Sequence, residues 1–189
     1  MTKVKLNSII NADEKQIKFA ADAIKILEDV INDKNFISKI RETKFSRSRY
    51  VDNNGNINDI DNETIVDIIM EGKEQNTQID NQIQLEIELK KLGRKTLGRV
   101  IPPYPLITTN ILYFDFWIEK KDPLSLAAHW MHEWLHVAGF RHLTKKPDVN
   151  DVNYTIGKLV VAIGKTHSLK LDTKNIGNSY IELESYNCM

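Results

Sequence analysis

One run of residues, from position 132 to position 142, has the side-chain types and spacing of a metal-dependent hydrolase site. It reads His-Glu-x-x-His-x-x-Gly-x-x-His, with histidines at His132, His136 and His142. Residues four apart lie on the same face of an α-helix, so His132 and His136 can bind one metal ion together. With His142 as a third ligand, the fourth position of a tetrahedral zinc site stays open to water, which is the catalytic arrangement.

Two further residues of the run have roles in this interpretation. Glu133 follows the first histidine, and a carboxylate there can accept a proton from water at the metal. Gly139 lacks a Cβ atom and can adopt the left-handed backbone that ends a helix, which would turn the chain back and present His142. At this composition the whole pattern arises by chance in about 1 in 100,000 such sequences, against roughly 1 in 100 for His-Glu-x-x-His alone.

The run resembles the zinc-binding signature of the metzincin metallopeptidases. The resemblance implies a zincin fold, Zn²⁺ held by the three histidines, Glu133 as general base, and a peptide or protein substrate cleaved by a zinc-activated water. The chain departs from that family in two respects: the only methionine after His142 is Met189, so no internal Met-turn is evident, and Leu143 after the third histidine matches none of the familiar subfamily residues. We therefore expect a divergent, minimal metzincin-like member.

Other interpretations of the same residues stay open. A zincin fold can serve as a non-catalytic structural or assembly subunit of a larger complex, such as a phage particle. A zinc hydrolase acting on a non-peptide amide is a third possibility. Tyr154 lies where a Met-turn would be expected, and it could form the floor of the zinc site, donate its hydroxyl to a developing oxyanion, or pack at the core edge.

Composition indicates a single globular domain. The chain has 189 residues, of which 41% are hydrophobic and 28% charged, with a formal net charge of zero and one cysteine, Cys188. These values are ordinary for a soluble domain and give no indication of a nucleic-acid or membrane partner. Because the first residues lack a signal-like apolar segment and no membrane-length apolar run occurs, we expect a cytoplasmic or intracellular protein, with a virion as the alternative location.

Periodicity predicts an α+β, zincin-like fold: a small twisted mixed sheet, a helix that carries the motif, and additional packing helices. One catalytic domain over residues 1–189 is expected, with an N-terminal helical segment over residues 1–50 packing on it. The predicted helices cover residues 13–31, 61–71, 123–138 and 152–165. The predicted strands cover residues 82–90, where a helix is the alternative, and 108–118. Residues 102–105 are predicted as a loop and residues 170–189 as a strand or irregular tail.

Several positions have both a functional and a purely structural interpretation. Residues 108–115 are the predicted sheet edge for pairing with an extended substrate. The basic segment 36–50 is predicted to be a solvated strand or loop, with an anionic-partner site as the alternative. His129 either orients the zinc site from behind or simply packs, while Trp117, Trp130 and Trp134 are expected in the core.

Overall fold

A computed structural model describes residues 1–75, 77–142 and 150–168 of the chain. Within these ranges the protein is an α+β structure with six helices, a four-stranded mixed sheet and a two-stranded hairpin. The strands are β1 (Lys3–Ile10), β2 (Tyr50–Val51), β3 (Ile57–Asn58), β4 (Gln82–Lys90), β5 (Gly98–Val100) and β6 (Leu106–Asn110). The helices are α1 (Glu14–Ile31), α2 (Lys34–Glu42), α3 (Asn62–Glu71), α4 (Ile111–Lys120), α5 (Pro123–Ala138) and α6 (Val152–Ser168).

The main sheet has the strand order β1-β4-β6-β5, with β1, β4 and β6 parallel and β5 antiparallel to β6. The alternation in β4 decides between strand and helix. Its apolar residues are buried at every second position, while the polar residues between them are partly exposed. The strand predicted over residues 82–90 is therefore confirmed and the helical alternative is wrong.

The strand predicted over residues 108–118 is wrong beyond Asn110. There the chain enters α4, since the Asn110 side chain accepts a hydrogen bond from the backbone N–H of Leu112 at 3.2 Å and so caps the helix. Phe114 and Trp117, three positions apart, are its buried residues. The β-branched and aromatic content suggested a strand, whereas burial follows the helical period.

The predicted substrate edge over residues 108–115 is also wrong. Strand β6 lies inside the sheet, between β4 and β5, so its backbone groups are already paired on both sides. The outer strand next to it is β5, which pairs with β6 through Gly98 opposite Thr109 and Val100 opposite Ile107. Among the described residues, the edge on this side of the sheet therefore belongs to β5.

The N-terminal fifty residues are less helical than predicted. Residues 3–10 form β1, an edge strand that runs parallel to β4. The strand or loop predicted over residues 36–50 is wrong at its start, where α2 covers residues 34–42, because Asp33 caps the helix and Phe36 and Ile40 bury one face. Strand β1 pairs with a strand far along the chain, so its own sequence gives little indication of a strand. For this reason it was not predicted.

Helix α5 carries the histidine motif and lies almost wholly inside the molecule. Asp122 caps it by accepting from the backbone N–H of Ser125 at 3.1 Å, and Pro123 occupies the first turn, as predicted. All its residues are buried except Pro123 and His136. It packs mainly against α1 and α6. The three tryptophans expected in the core are fully buried.

The other predicted helices are confirmed in their main extent. Helix α3 begins after the cap Asp61 and ends at Gly72, whose φ of 60° is left-handed. Helix α6 extends to Ser168, three residues beyond its predicted end at Lys165. The tail predicted over residues 170–189 lies outside the described residues. None of the helices in the described part of the chain combines the length and apolar character needed to cross a bilayer.

Candidate metal centre

The three histidines of the motif converge on one point. One nitrogen from each of His132, His136 and His142 lies within 4.8 Å of the other two. The Nε2 atoms of His136 and His142 are 3.1 Å apart. Nitrogens that share a tetrahedral zinc ion at about 2.0–2.1 Å stand about 3.3–3.4 Å from each other. The donor set is therefore spaced so that it could hold a metal ion.

The turn that brings His142 back depends on Gly139. This residue ends α5 with φ at 120°, a value that side chains with a Cβ atom rarely adopt. A Cβ atom here would also lie 2.7 Å from the carbonyl oxygen of Val51. Tyr50 and Phe140 form an antiparallel bridge next to the turn. The turn at Gly139 is as predicted, and its docking on β2 is a further constraint.

Backbone carbonyls fix the orientation of His136. Its Nδ1 atom lies 2.9 Å from the carbonyl oxygen of Phe140. Because that oxygen can only accept, a hydrogen bond to it places the proton on Nδ1, and the lone pair of Nε2 then faces His142. The amide nitrogen of Asn153 also lies 3.2 Å from Nδ1. Asn153 lies behind the same site and donates to the carbonyl oxygen of His132 at 3.2 Å. A ligand imidazole held from behind in this way is typical of protein metal sites.

The carboxylate of Asp151 orients the ring of His142 in the same way. Its Oδ1 atom lies 3.3 Å from His142 Nδ1, and the carboxylate is only 2% exposed. The same oxygen accepts from the backbone N–H of Asn153 at 3.0 Å, at the start of α6. Sequence reasoning missed both Asp151 and Asn153. The one available signal was an Asp immediately before a predicted helix, which indicates a cap and not a metal site.

Tyr154 packs against two of the three ligand rings. Its ring centroid is 4.7 Å from that of His132 and 4.8 Å from that of His142, and it stacks on His142 at an interplanar angle of 23°. The residue is 4% exposed. This packing fits two of the three roles open to Tyr154 from the sequence, the floor of the site and packing at the core edge. The hydroxyl role stays a prediction.

Two of the three clustered histidines, His132 and His136, are held neutral. Burial, followed by the neighbouring His136 and His142, lowers the pKa of His132 well below its usual value. Burial, with His142 as the next cause, lowers the pKa of His136 to about 3. Neutral imidazoles have a free lone pair, so both side chains are ready to ligate a metal at neutral pH.

Glu133 follows the first histidine of the cluster on α5 and is fully buried. His129, one turn earlier, has its Nδ1 atom 3.8 Å from Glu133 Oε1. The other His129 nitrogen, Nε2, lies 3.5 Å from Thr109 Oγ1, which accepts from Trp130 Nε1 at 3.1 Å. His129 is thus not part of the histidine cluster and contacts the motif through its glutamate.

Two cavities meet at His136, the one residue in the second half of α5 that is not buried. The first, of about 250 Å³, is lined by acidic and polar residues of the β4 side, among them Glu74, Glu86 and Gln84. The second, of about 350 Å³, is lined by Arg49, Arg141 and His142. Val100 of β5 borders both. The histidine cluster is therefore reached from two cavities that share Val100, at the end of β5, and His136.

Glu74 is a buried acid that sequence reasoning missed. It accepts hydrogen bonds from Trp134 Nε1 at 2.8 Å and from the backbone N–H of Gln84 at 3.0 Å. Burial raises its pKa even though both bonds act in the opposite direction. His167, to which the sequence assigned no role, pairs with Asp33 at 2.6 Å and is not part of the histidine cluster.

No protein-family model, curated protein sequence or solved structure matches this chain.

Proposed function

We propose that this chain is a zinc-dependent, metzincin-like peptidase with a zincin fold, in which Glu133 acts as general base. One observation carries the proposal: three histidine nitrogens lie within 4.8 Å of one another on and just after a buried helix that also bears Glu133. This donor set has a chemistry that suits zinc, since neutral imidazoles are among its preferred ligands and a three-histidine site keeps one position open.

The residues behind the ligands support a preorganised site. His136 and His142 each present one nitrogen to the centre while the other faces a carbonyl or carboxylate oxygen. The rings are therefore oriented before any ion arrives, which is what raises affinity in such sites. A bound zinc ion would supply a lowered water pKa and a polarised substrate carbonyl.

Glu133 would move the proton. In the proposed reaction its carboxylate takes a proton from the attacking water and then delivers it to the amine that leaves. Its complete burial keeps bulk water away from the carboxylate. His129, at 3.8 Å from Oε1, limits the rotamers open to the glutamate. The aromatic ring of Tyr154 would form the floor beneath the ligands, the place that a methionine turn takes in metzincins.

The substrate would bind along β5 as an extended strand. In the described part of the chain no strand pairs with the outer edge of β5, and Val100 at its end borders both cavities at His136. Strand addition at such an edge uses backbone hydrogen bonds for affinity and pockets for selectivity. This placement replaces the edge that the sequence predicted over residues 108–115.

The proposal is tested with the purified wild-type protein and Glu133→Gln. We expect each to hold one zinc ion per chain, and wild type to cleave unfolded protein and mixed peptides. The variant should be slower by about 10²- to 10⁴-fold, the usual contribution of a general base. Thermal unfolding of both proteins checks that the substitution leaves the fold intact.

Two outcomes would contradict the proposal. If wild type binds zinc but cleaves peptides no faster than Glu133→Gln, the site is not catalytic toward peptides, and a structural or assembly subunit becomes the better interpretation. Hydrolysis of small non-peptide amides without peptide cleavage would instead indicate a zinc amidase. Both alternatives keep the metal centre and change only its use.

A further inference from the structure

The second cavity beside the histidine cluster is lined by two arginines. Arg49 lies just before β2 and Arg141 follows the turn after α5, and both line the cavity of about 350 Å³. The ion pairs formed among the described residues include neither of them. Two positive charges thus line the cavity beside the histidine cluster without an acidic partner in the described part of the chain.

Carbonyl oxygens hold both guanidinium groups in place without neutralising them. Arg141 Nη1 donates to the carbonyl oxygens of His136 at 2.6 Å and Phe140 at 2.9 Å. Arg49 Nη1 donates to the carbonyl oxygen of His142 at 3.2 Å. Arg141 Nη2 also donates to Gln75 Oε1 at 3.4 Å. Because a guanidinium has five N–H donors, each group still keeps donors for a ligand. The groups are therefore oriented by the same backbone that carries the metal ligands.

The two arginines are neighbours in space, since the backbone N–H of Arg141 donates to the carbonyl oxygen of Arg49 at 3.0 Å and both residues line the same cavity. Their like charges therefore repel each other. A bound anion would offset that repulsion and would accept the donors that the carbonyls leave free.

We infer that Arg49 and Arg141 form a carboxylate-binding subsite beside the metal centre, an inference that rests on the proposed peptidase function. The planar fork of a guanidinium matches the two oxygens of a carboxylate. The subsite therefore selects peptides with a carboxylate at a fixed distance from the scissile bond. That carboxylate is either the C-terminus of the peptide or the side chain of an aspartate or glutamate.

The charge of the opposite cavity gives the subsite a direction. Glu74 and Glu86 line the cavity of about 250 Å³ on the other side of His136. A substrate carboxylate is thus attracted to the arginine side and repelled from the glutamate side. This asymmetry fixes the orientation of an extended peptide across the metal centre.

The first experiment measures anion binding without requiring cleavage. The arginine Nε–H signals of the purified protein are followed by NMR during titration with three probes. N-acetylalanine has only a terminal carboxylate, N-acetylglutamic acid α-amide only a side-chain carboxylate, and N-acetylalanine amide has none. We expect a carboxylate probe to shift the Arg49 and Arg141 signals and to bind at least about ten-fold more tightly than the amide. The tighter probe identifies the source. Equal binding of all three overturns the inference.

Variants separate the subsite from general surface charge. Arg49→Gln should weaken binding of the preferred probe about ten-fold, and Arg49→Lys, which keeps the charge but loses the fork, should weaken it less. The matched control is Arg47→Gln, because Arg47 is exposed and pairs with Asp59 at 4.0 Å. If Arg47→Gln weakens binding as much as Arg49→Gln does, the subsite is refuted. Should Arg49→Gln not fold, Arg49→Lys against Arg47→Gln gives the same decision.

The second experiment uses cleavage to separate this inference from the proposed function. Wild type is given a peptide series in which one Asp or Glu is moved along the chain and the C-terminus is acid or amide. A kcat/KM at least about ten-fold higher for one carboxylate position supports the subsite. Cleavage without any such preference refutes the subsite and leaves the peptidase. Probe binding at Arg49 without cleavage of any peptide supports anion binding and refutes the peptidase.

Discussion

Two histidines on α5, His129 and His136, have similarly lowered pKa values but very different surroundings. Burial lowers the pKa of both His129 and His136 to about 3. His129 packs against the Trp117 ring at a centroid distance of 5.5 Å and has no nitrogen in the histidine cluster. His136 has Nδ1 held by the carbonyl of Phe140 and Nε2 aimed at a second imidazole. A buried, neutral histidine is therefore not a ligand by itself; a fixed rear nitrogen and a converging partner make it one.

Strand β5 adds to the difference between the surroundings of His129 and His136. A Cβ atom on Gly98 would lie 2.6 Å from the His129 ring, so the glycine lets the strand pack directly on this histidine. His136, by contrast, lines both cavities. The first half of α5 thus packs against the sheet, while the second half presents the histidine cluster to the cavities.

The largest effect is expected from removing His136, the histidine of this pair that lies in the cluster. His136→Ala should reduce zinc affinity more than a hundred-fold, since a binding free energy of 10–16 kcal/mol shared by four ligands gives roughly 3 kcal/mol for each. His129→Gln should leave zinc content unchanged, because its nitrogens do not face the cluster. Titration with a competing chelator measures both. Equal loss of zinc in the two variants would show that burial, and not convergence, defines the site.

A smaller effect is expected from the acid behind His142. Asp151→Asn should reduce zinc affinity about 10- to 100-fold, the usual effect of removing a carboxylate behind a ligand histidine. Asn can still accept the backbone N–H of Asn153, so the helix cap is retained. The matched control is Asp61→Asn, because Asp61 caps α3 by accepting from Thr64 N–H at 2.8 Å and lies near no ligand. Similar losses in both variants would contradict the role given to Asp151.

The smallest expected effect is on the pH dependence of stability, to which the packed histidine His129 contributes. The folded-state pKa of His129 is about 3 and lies below the unfolded value, so the unfolded chain binds more protons at mildly acidic pH. Stability is therefore lost as pH falls through about 6.5, by about 1.4 kcal/mol for this histidine between roughly pH 7.5 and pH 5.5. Denaturant unfolding of the zinc-free protein should show a smaller loss over this interval in His129→Gln. An unchanged loss would mean that His129 is not held neutral.

The local part of the site was predictable from sequence, and its surroundings were not. The positions of His132, His136 and Gly139 follow from helical spacing and glycine stereochemistry within eleven residues. Asp151 and Asn153 reach the ligands from the start of another helix, and nothing in their spacing indicates which histidine they face. Arg49 belonged to a basic segment for which an anionic partner was only the alternative.

The fold shows the same division. Helices α1, α3, α5 and α6 were predicted because their apolar period and caps are local signals. Strand β1 was missed because its partner β4 lies about eighty positions away and only tertiary pairing stabilises it. Helix α4 was taken for a strand because Ile, Tyr, Phe and Trp favour strands on average, and the cap supplied by Asn110 overrides that preference.

The bridge between Tyr50 and Phe140 has a consequence for how the protein matures. Arg49 and His142, which this bridge brings together, are 93 positions apart. A nascent chain with only α5 formed would offer two histidines and would release an ion readily. The third ligand arrives once a long loop has closed and β2 has docked on the turn, a step with a high entropic cost. Tight zinc retention would therefore report completed tertiary structure.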